Sequence, residues 1–262
     1  MRKQQVRVVV GGHAFDRAAF DAALRALPDV EVDYLKHPDA ALRLNPRDLH
    51  GVDALLLYDI PGIDFRATHD APRLFAPPAE FLVGFEALLL EGLGIVALHH
   101  ALAGWPAWPA YGAVLGGCFR YRPKHAAGAD LPDSGYATDV EYGVDVVDPS
   151  HPVTQGLPSR FLLRDEPYRC EVHEARVTPL LRADRRYTSA PFESAARAVG
   201  VSTSSAADSA QPPPASALVA WTREVFASRI VYLQPGDGPA AFGDPNWRRF
   251  VGNALHWVAR RG

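Results

Sequence analysis

Three apolar runs in the first hundred residues each end abruptly at a glycine or polar tip, and no other feature constrains the chain as much. Residues 6–10 stop at Gly11-Gly12-His13, residues 54–58 at Asp59, and residues 95–98 at His99-His100. A near-continuous apolar run, rather than an alternating one, is the pattern of a strand covered on both faces, as in a parallel sheet. Between the first two runs, Phe20, Ala23, Leu24 and Leu27 share one helical face, with Asp16 as N-cap and Pro28 as a stop. Val30, Val32 and Tyr34 alternate with Glu31 and Asp33 as in a half-buried strand. Before the third run, Phe81, Phe85, Leu88 and Leu89 form a second helical stripe closed by Gly92. Strand, helix and strand, twice over, predict an α/β fold: a flavodoxin-like, doubly wound, mostly parallel sheet with helices on both faces.

The second half is less regular. Residues 140–147 read as a strand, and 217–221 pair with 230–233 across a short turn. Trp247, Phe250, Val251, Ala254, Leu255 and Val258 mark a C-terminal amphipathic helix. Residues 194–216 are rich in Ala, Ser and Pro and are expected to form a flexible loop, too poor in apolar surface to repay ordering. The 262 residues are read as a single domain, residues 1–262, carrying that loop.

Composition excludes several functions. A net charge of −3 gives no electrostatic footprint for nucleic acid or an anionic membrane. No run of about 18 apolar residues could span a bilayer, and the segment before Gly11 is too short in apolar residues for a leader. Two cysteines rule out a disulfide scaffold and a multi-cysteine zinc site, and fit a reducing, cytoplasmic compartment.

In an open parallel sheet, ligands bind beyond the C-terminal ends of the strands, where the strand order reverses. A flavodoxin-like order would make the first, third and fourth strands neighbours, so that His13, Asp59, His99 and His100 converge. The His99-His100 pair occupies the strand–turn–helix elbow where hydrolases of this architecture expose a nucleophile. No Ser or Cys is there, and Cys118 lies 19 residues beyond His99, which disfavours covalent catalysis. Acid–base chemistry, metal ligation or plain binding remain, and imidazole suits the first two. Asp165 and Glu166 are further candidate catalytic carboxylates. Gly12, Trp105, Tyr168 and Asp237 are candidate substrate contacts; Trp105, Trp108 and Tyr111 recur at a spacing that serves core packing or stacking on a sugar. His99, His100 and His13 are the candidate ligands for a divalent metal such as zinc, although no known zinc spacing is present. His125 and His151 are weaker candidates, His173-Glu174 lacks the second His of a zincin helix, and Arg182, Arg185 and Arg186 read as a solvated turn.

Taken in order, these segments resemble the ThuA-like family: Gly11-Gly12-His13-Ala14-Phe15, Tyr58-Asp59, the stretch His99-His100-Ala101-Leu102-Ala103-Gly104-Trp105, Tyr111-Gly112 and Leu115-Gly116-Gly117. His151-Pro152-Val153-Thr154, Asp165-Glu166-Pro167-Tyr168 and Arg229-Ile230-Val231-Tyr232 continue the likeness over nearly the whole chain except residues 194–216. The resemblance implies a class I glutamine amidotransferase-like fold without the elbow thiol, and a link to carbohydrate use, since the family is named for trehalose utilisation. The chain departs from it at Gly236-Asp237-Gly238, where the family usually carries Gly-His-Asp or similar, and at Cys118, where the residue is more often basic. The expected function is therefore conversion of a sugar or keto-sugar by His/carboxylate acid–base or metal-assisted chemistry. The alternative is a non-catalytic sugar-binding or assembly module, and a homo-oligomer is compatible with either.

Overall fold

Every apolar run described above forms a strand, and these strands share one nine-stranded sheet in the computed structural model. The structure describes residues 2–65, 73–126, 129–188, 190–199 and 216–259. The sheet contains β1 (Gln4–Gly11), β2 (Val30–Lys36), β3 (Ala54–Asp59), β4 (Gly94–Leu98), β5 (Val140–Val146), β6 (Arg160–Asp165), β7 (Thr178–Ala183), β8 (Leu218–Val225) and β9 (Ser228–Leu233). Its order is β6-β5-β7-β8-β9-β4-β3-β1-β2. From β9 through β4, β3 and β1 to β2 all neighbours are parallel, which is the flavodoxin-like order. From β9 outward through β8, β7, β5 and β6 they are antiparallel. The order reverses between β1 and β3, so the tip of β1 stands at the switch point.

Side-chain alternation divides the parallel strands between two cores. Val8, Val10, Leu56, Tyr58, Val96 and Leu98 face α1 (Arg17–Arg25) and the C-terminal helix. Val9, Leu55, Leu57, Ile95 and Ala97 face α2 (Ala79–Leu90) and α3 (Pro109–Leu115). Both sides being covered explains why β3 and β4 are buried at every position. Each fully buried Leu, Ile or Phe contributes about 1.5–3 kcal/mol by leaving water. Asp16 caps α1 by accepting the Ala19 N–H. After β9, the short α4 (Pro239–Gly243) leads to α5 (Pro245–Val258), whose first N–H groups are accepted by Asp244.

The antiparallel half differs from the sequence reading. β6 and β7 are additional strands. β6 alternates, but its outward Leu162 is 54% exposed on the sheet edge and blurs the pattern, while Pro179 interrupts β7. Arg182 accordingly lies exposed on β7, and Arg185 begins a short helix, Arg185–Thr188. Residues 194–199 are ordered: Ala195 and Ala196 are buried, and the N–H of Ala196 is accepted by Asp133. Ser216, at the other end of the expected flexible loop, donates its hydroxyl to Glu174, and the rest of that loop, residues 200–215, lies outside the described residues. No described helix is long and apolar enough to cross a membrane.

Gly94 opens β4 against the end of α5, where an added Cβ would stand 2.0 Å from the Val258 carbonyl oxygen. Backbone cannot rotate away as a side chain can, so Gly94→Ala is expected to cost about 3 kcal/mol, the upper part of the overpacking range. A urea midpoint unchanged from the parent chain would contradict this packing.

Candidate functional site

Parallel registration delivers the polar tips to one place. Leu98 pairs with Leu233, so the next residues, His99 and Gln234, emerge side by side from β4 and β9. The chain then turns sharply into a short 3₁₀ helix, His99–Ala103. His99 itself has φ +34°, a left-handed conformation that a non-glycine residue adopts only under constraint. It occupies the strained elbow position, but with an imidazole in place of a thiol or hydroxyl.

The His99 ring is wholly buried, with its Nδ1 2.6 Å from the Gln234 carbonyl oxygen. A carbonyl can only accept, so Nδ1 carries the hydrogen and Nε2 is left for the site. That Nε2 lies 3.5 Å from Glu166 Oε1 and 3.7 Å from Asp237 Oδ1. His100 Nε2 lies 3.3 Å from the same Asp237 oxygen. Both Nε2 atoms are buried and, among the described residues, without a hydrogen-bond partner. The exposed His13 packs its ring on His100 at 4.3 Å between centroids, Tyr58 does so at 4.8 Å, and Tyr168 covers His99 at 4.2 Å.

The Asp237 loop is held from two sides. Asp165, buried at the end of β6, accepts the N–H of Gly236 at 2.6 Å and of Asp237 at 3.0 Å. The Tyr58 hydroxyl donates to the carbonyls of Gly236 and Asp237. Burial is the largest single influence on each of these groups, but it does not always prevail. It opposes a charge on His99, but Glu166, Asp165 and Asp237 together outweigh it and raise that pKa above the ordinary imidazole value. On His100 burial prevails, aided by His99 and His13, and pushes the pKa down to about 3. Burial raises Asp165. It also acts to raise Asp237, but the surrounding imidazoles hold that carboxyl below its ordinary value.

A cleft of about 480 Å³ opens beside the cluster, lined by Gly12, His13, Glu166 and the rings of Phe119, Tyr121 and Tyr168. Gly12 is required there: its φ is +83°, and a Cβ would stand 2.0 Å from the Ile60 carbonyl oxygen. Of the residues expected at the site, His13, His99, His100, Glu166, Tyr168, Gly12 and Asp237 come together, and Asp165 supports them from behind. Asp59 does not join them. It pairs at 2.7 Å with His37 Nε2, because it points to the opposite face from Tyr58. Trp105 is also elsewhere, buried against Phe81 and lining a separate cavity with Cys118 and Arg120.

Asp237 takes the place expected for His13 in a metal-ligand set: among the described residues, the donors grouped together are His99, His100 and Asp237. Cys118 lies away from the elbow beside Glu171, and burial pushes its thiol up to about 11, which makes it a poor nucleophile. His151 accepts the Val153 N–H and packs on Trp257, and His173 Nε2 lies 3.6 Å from Glu171. The His125 side chain lies outside the described residues. Sequence reasoning missed Gln234, although a polar residue directly after a parallel strand is the signal that found the other tips.

A family model described as ThuA, trehalose utilisation, matches residues 12–258. Among curated proteins none matches the chain. Among solved structures, a ThuA-like protein from Parabacteroides merdae superposes with a TM-score of 0.66 at 15% identity, covering 98% of this chain and 90% of that one. One from Bacteroides uniformis gives 0.65 at 16%, covering 98% and 91%. A structure described as PurLQS from Thermotoga maritima gives 0.52 at 11%, covering 98% and 99%. At these identities the likeness is one of fold.

Asp165 offers two oxygens to two backbone N–H groups, and an amide offers only one. Asp165→Asn therefore sets an NH₂ against an N–H, and it is expected to cost about 2 kcal/mol, as for a lost hydrogen bond to a charged group. Thermal unfolding of the variant tests this; an unchanged Tm would show that Asp165 does not hold the loop.

Proposed function

The chain belongs to the ThuA, trehalose utilisation, family, and from its strand-tip cluster we propose that it is an enzyme of carbohydrate metabolism acting on a sugar or keto-sugar. One observation carries the catalytic part of the reading. Two buried imidazoles present Nε2 atoms, unpartnered among the described residues, to carboxylates at the edge of a cleft, beside the switch point of a parallel sheet. Unsatisfied buried nitrogen is costly, and a fold retains it where it serves a ligand or a reaction.

The cleft suits a sugar. Its volume falls within the range of small-molecule sites, and the rings of Phe119, Tyr121 and Tyr168 offer flat apolar surface to the C–H face of a pyranose. His13 and Glu166 line the same wall and can exchange protons with its hydroxyl or carbonyl groups. Proton transfer next to a keto-sugar carbonyl needs no covalent nucleophile, which accords with an elbow that carries His99 and a Cys118 thiol remote from it. A cytoplasmic location, expected from the low cysteine count, is part of this reading, as is a small-molecule substrate rather than nucleic acid or membrane.

Screening purified protein against oxidised and unoxidised disaccharides is the direct test. On a substrate so found, His100→Ala is expected to lower kcat by about 100-fold or more, within the contribution of a positioned acid–base group, while Cys118→Ala leaves it unchanged. A His100→Ala protein that loses sugar affinity but never showed turnover would instead mark a binding module. Activity abolished by Cys118→Ala would overturn the thiol-independent chemistry.

A further inference from the structure

We infer that His99, His100 and Asp237 form a divalent-cation site of the zinc type, with Glu166 beside its open position. The inference rests on the reading of this cluster as the reacting centre, and it adds what occupies it.

The first argument is geometric. Four donors about 2.0–2.1 Å from zinc in a tetrahedron are separated from one another by about 3.3–3.4 Å. His100 Nε2 and Asp237 Oδ1 are 3.3 Å apart, His99 Nε2 and Glu166 Oε1 3.5 Å, and His99 Nε2 and Asp237 Oδ1 3.7 Å. Donor atoms of the three proposed ligands lie within 4.8 Å of one another, so closing on an ion requires a contraction of at most about 1.5 Å. Two buried imidazoles, one carboxylate and a fourth direction left free are the donor set of a catalytic rather than a structural zinc site.

The second argument concerns hydrogen. The Gln234 carbonyl fixes the His99 proton on Nδ1. Such a carbonyl partner behind the ring is the usual support of a metal-ligating histidine. It leaves Nε2 as the atom that faces Glu166 and Asp237, the side from which an ion would be bound. Glu166 and Asp237 bring two carboxylates to the imidazoles, with Asp165 behind them, and a divalent ion offsets that charge. His13 is left out: it is exposed and stacks on the His100 ring.

The test uses the full chain, purified without a His tag, stripped with chelator and titrated calorimetrically with zinc alone, then with cobalt and manganese. One zinc per chain is expected, with affinity falling more than the roughly 10–100-fold typical of losing an outer-shell partner in both His100→Ala and Asp237→Asn. The Asp237 side chain is partly exposed, so Asp237→Asn keeps the test valid if the buried-histidine variant fails to fold. Absence of binding, or binding that both folded variants retain, overturns the site. Metal-free protein that still turns over a sugar would remove the metal and leave the sugar enzyme standing. Stoichiometric, variant-sensitive zinc without turnover on any sugar would uphold the site and remove the substrate reading.

Discussion

The hydrogen bond from His99 Nδ1 to the Gln234 carbonyl, at 2.6 Å and out of contact with water, is the interaction from which the site is built. It exists because β4 and β9 are parallel neighbours in a register that brings both chain exits level. One bond settles the ring orientation of His99, its tautomer and the direction of its free nitrogen. The Gln234 side chain works in the other direction. Its Oε1 accepts the Tyr168 N–H at 3.0 Å and the Tyr187 hydroxyl at 2.8 Å, which ties the segment after β6 and the short helix after β7 to the end of β9. Tyr168, so fixed, covers the His99 ring. A single residue therefore couples the His99 ring to the Tyr168 wall of the cleft.

The polar groups are concentrated where the sheet can tolerate them. Within the strands both faces are sealed by helices, and an unpaired polar atom there would cost its full desolvation. At the tips the backbone is already leaving the ladder and cleft water is near. His99 bears an unfavourable φ, of order 1–3 kcal/mol for such strain, and the surrounding bonds and ring contacts over-determine it. The Gly236–Asp237 loop shows the same logic: Asp165 holds its N–H groups, Tyr58 holds its carbonyls, and the Asp237 carboxylate is left free to face the imidazoles. Nearby, His37 and Asp59 satisfy each other in a separate pair on the far side of the sheet. Two neighbouring strand-tip residues, Tyr58 and Asp59, thus serve opposite faces.

The sequence by itself determined the strands of the parallel half, the helical stripes that cover them, the Asp16 cap and the elbow at His99-His100. These are readable because the direction of each side chain follows from the local period of the backbone, 2 for a strand and 3.6 for a helix. The family motifs carried the fold class for the same reason, as an ordered succession of such local signals. Tertiary structure alone decided the partners. Asp237 lies 138 residues after His99 in the chain, yet they meet because β9 pairs with β4. Asp59 stands on a converging tip, but the alternation along β3, set against which helix covers which face, turns it toward His37. β6 escaped notice because an edge strand can leave Leu162 exposed, and Gln234 because its backbone oxygen, identical in every residue type, makes the decisive contact. Register across the sheet is a property of the whole ladder, and no local pattern encodes it.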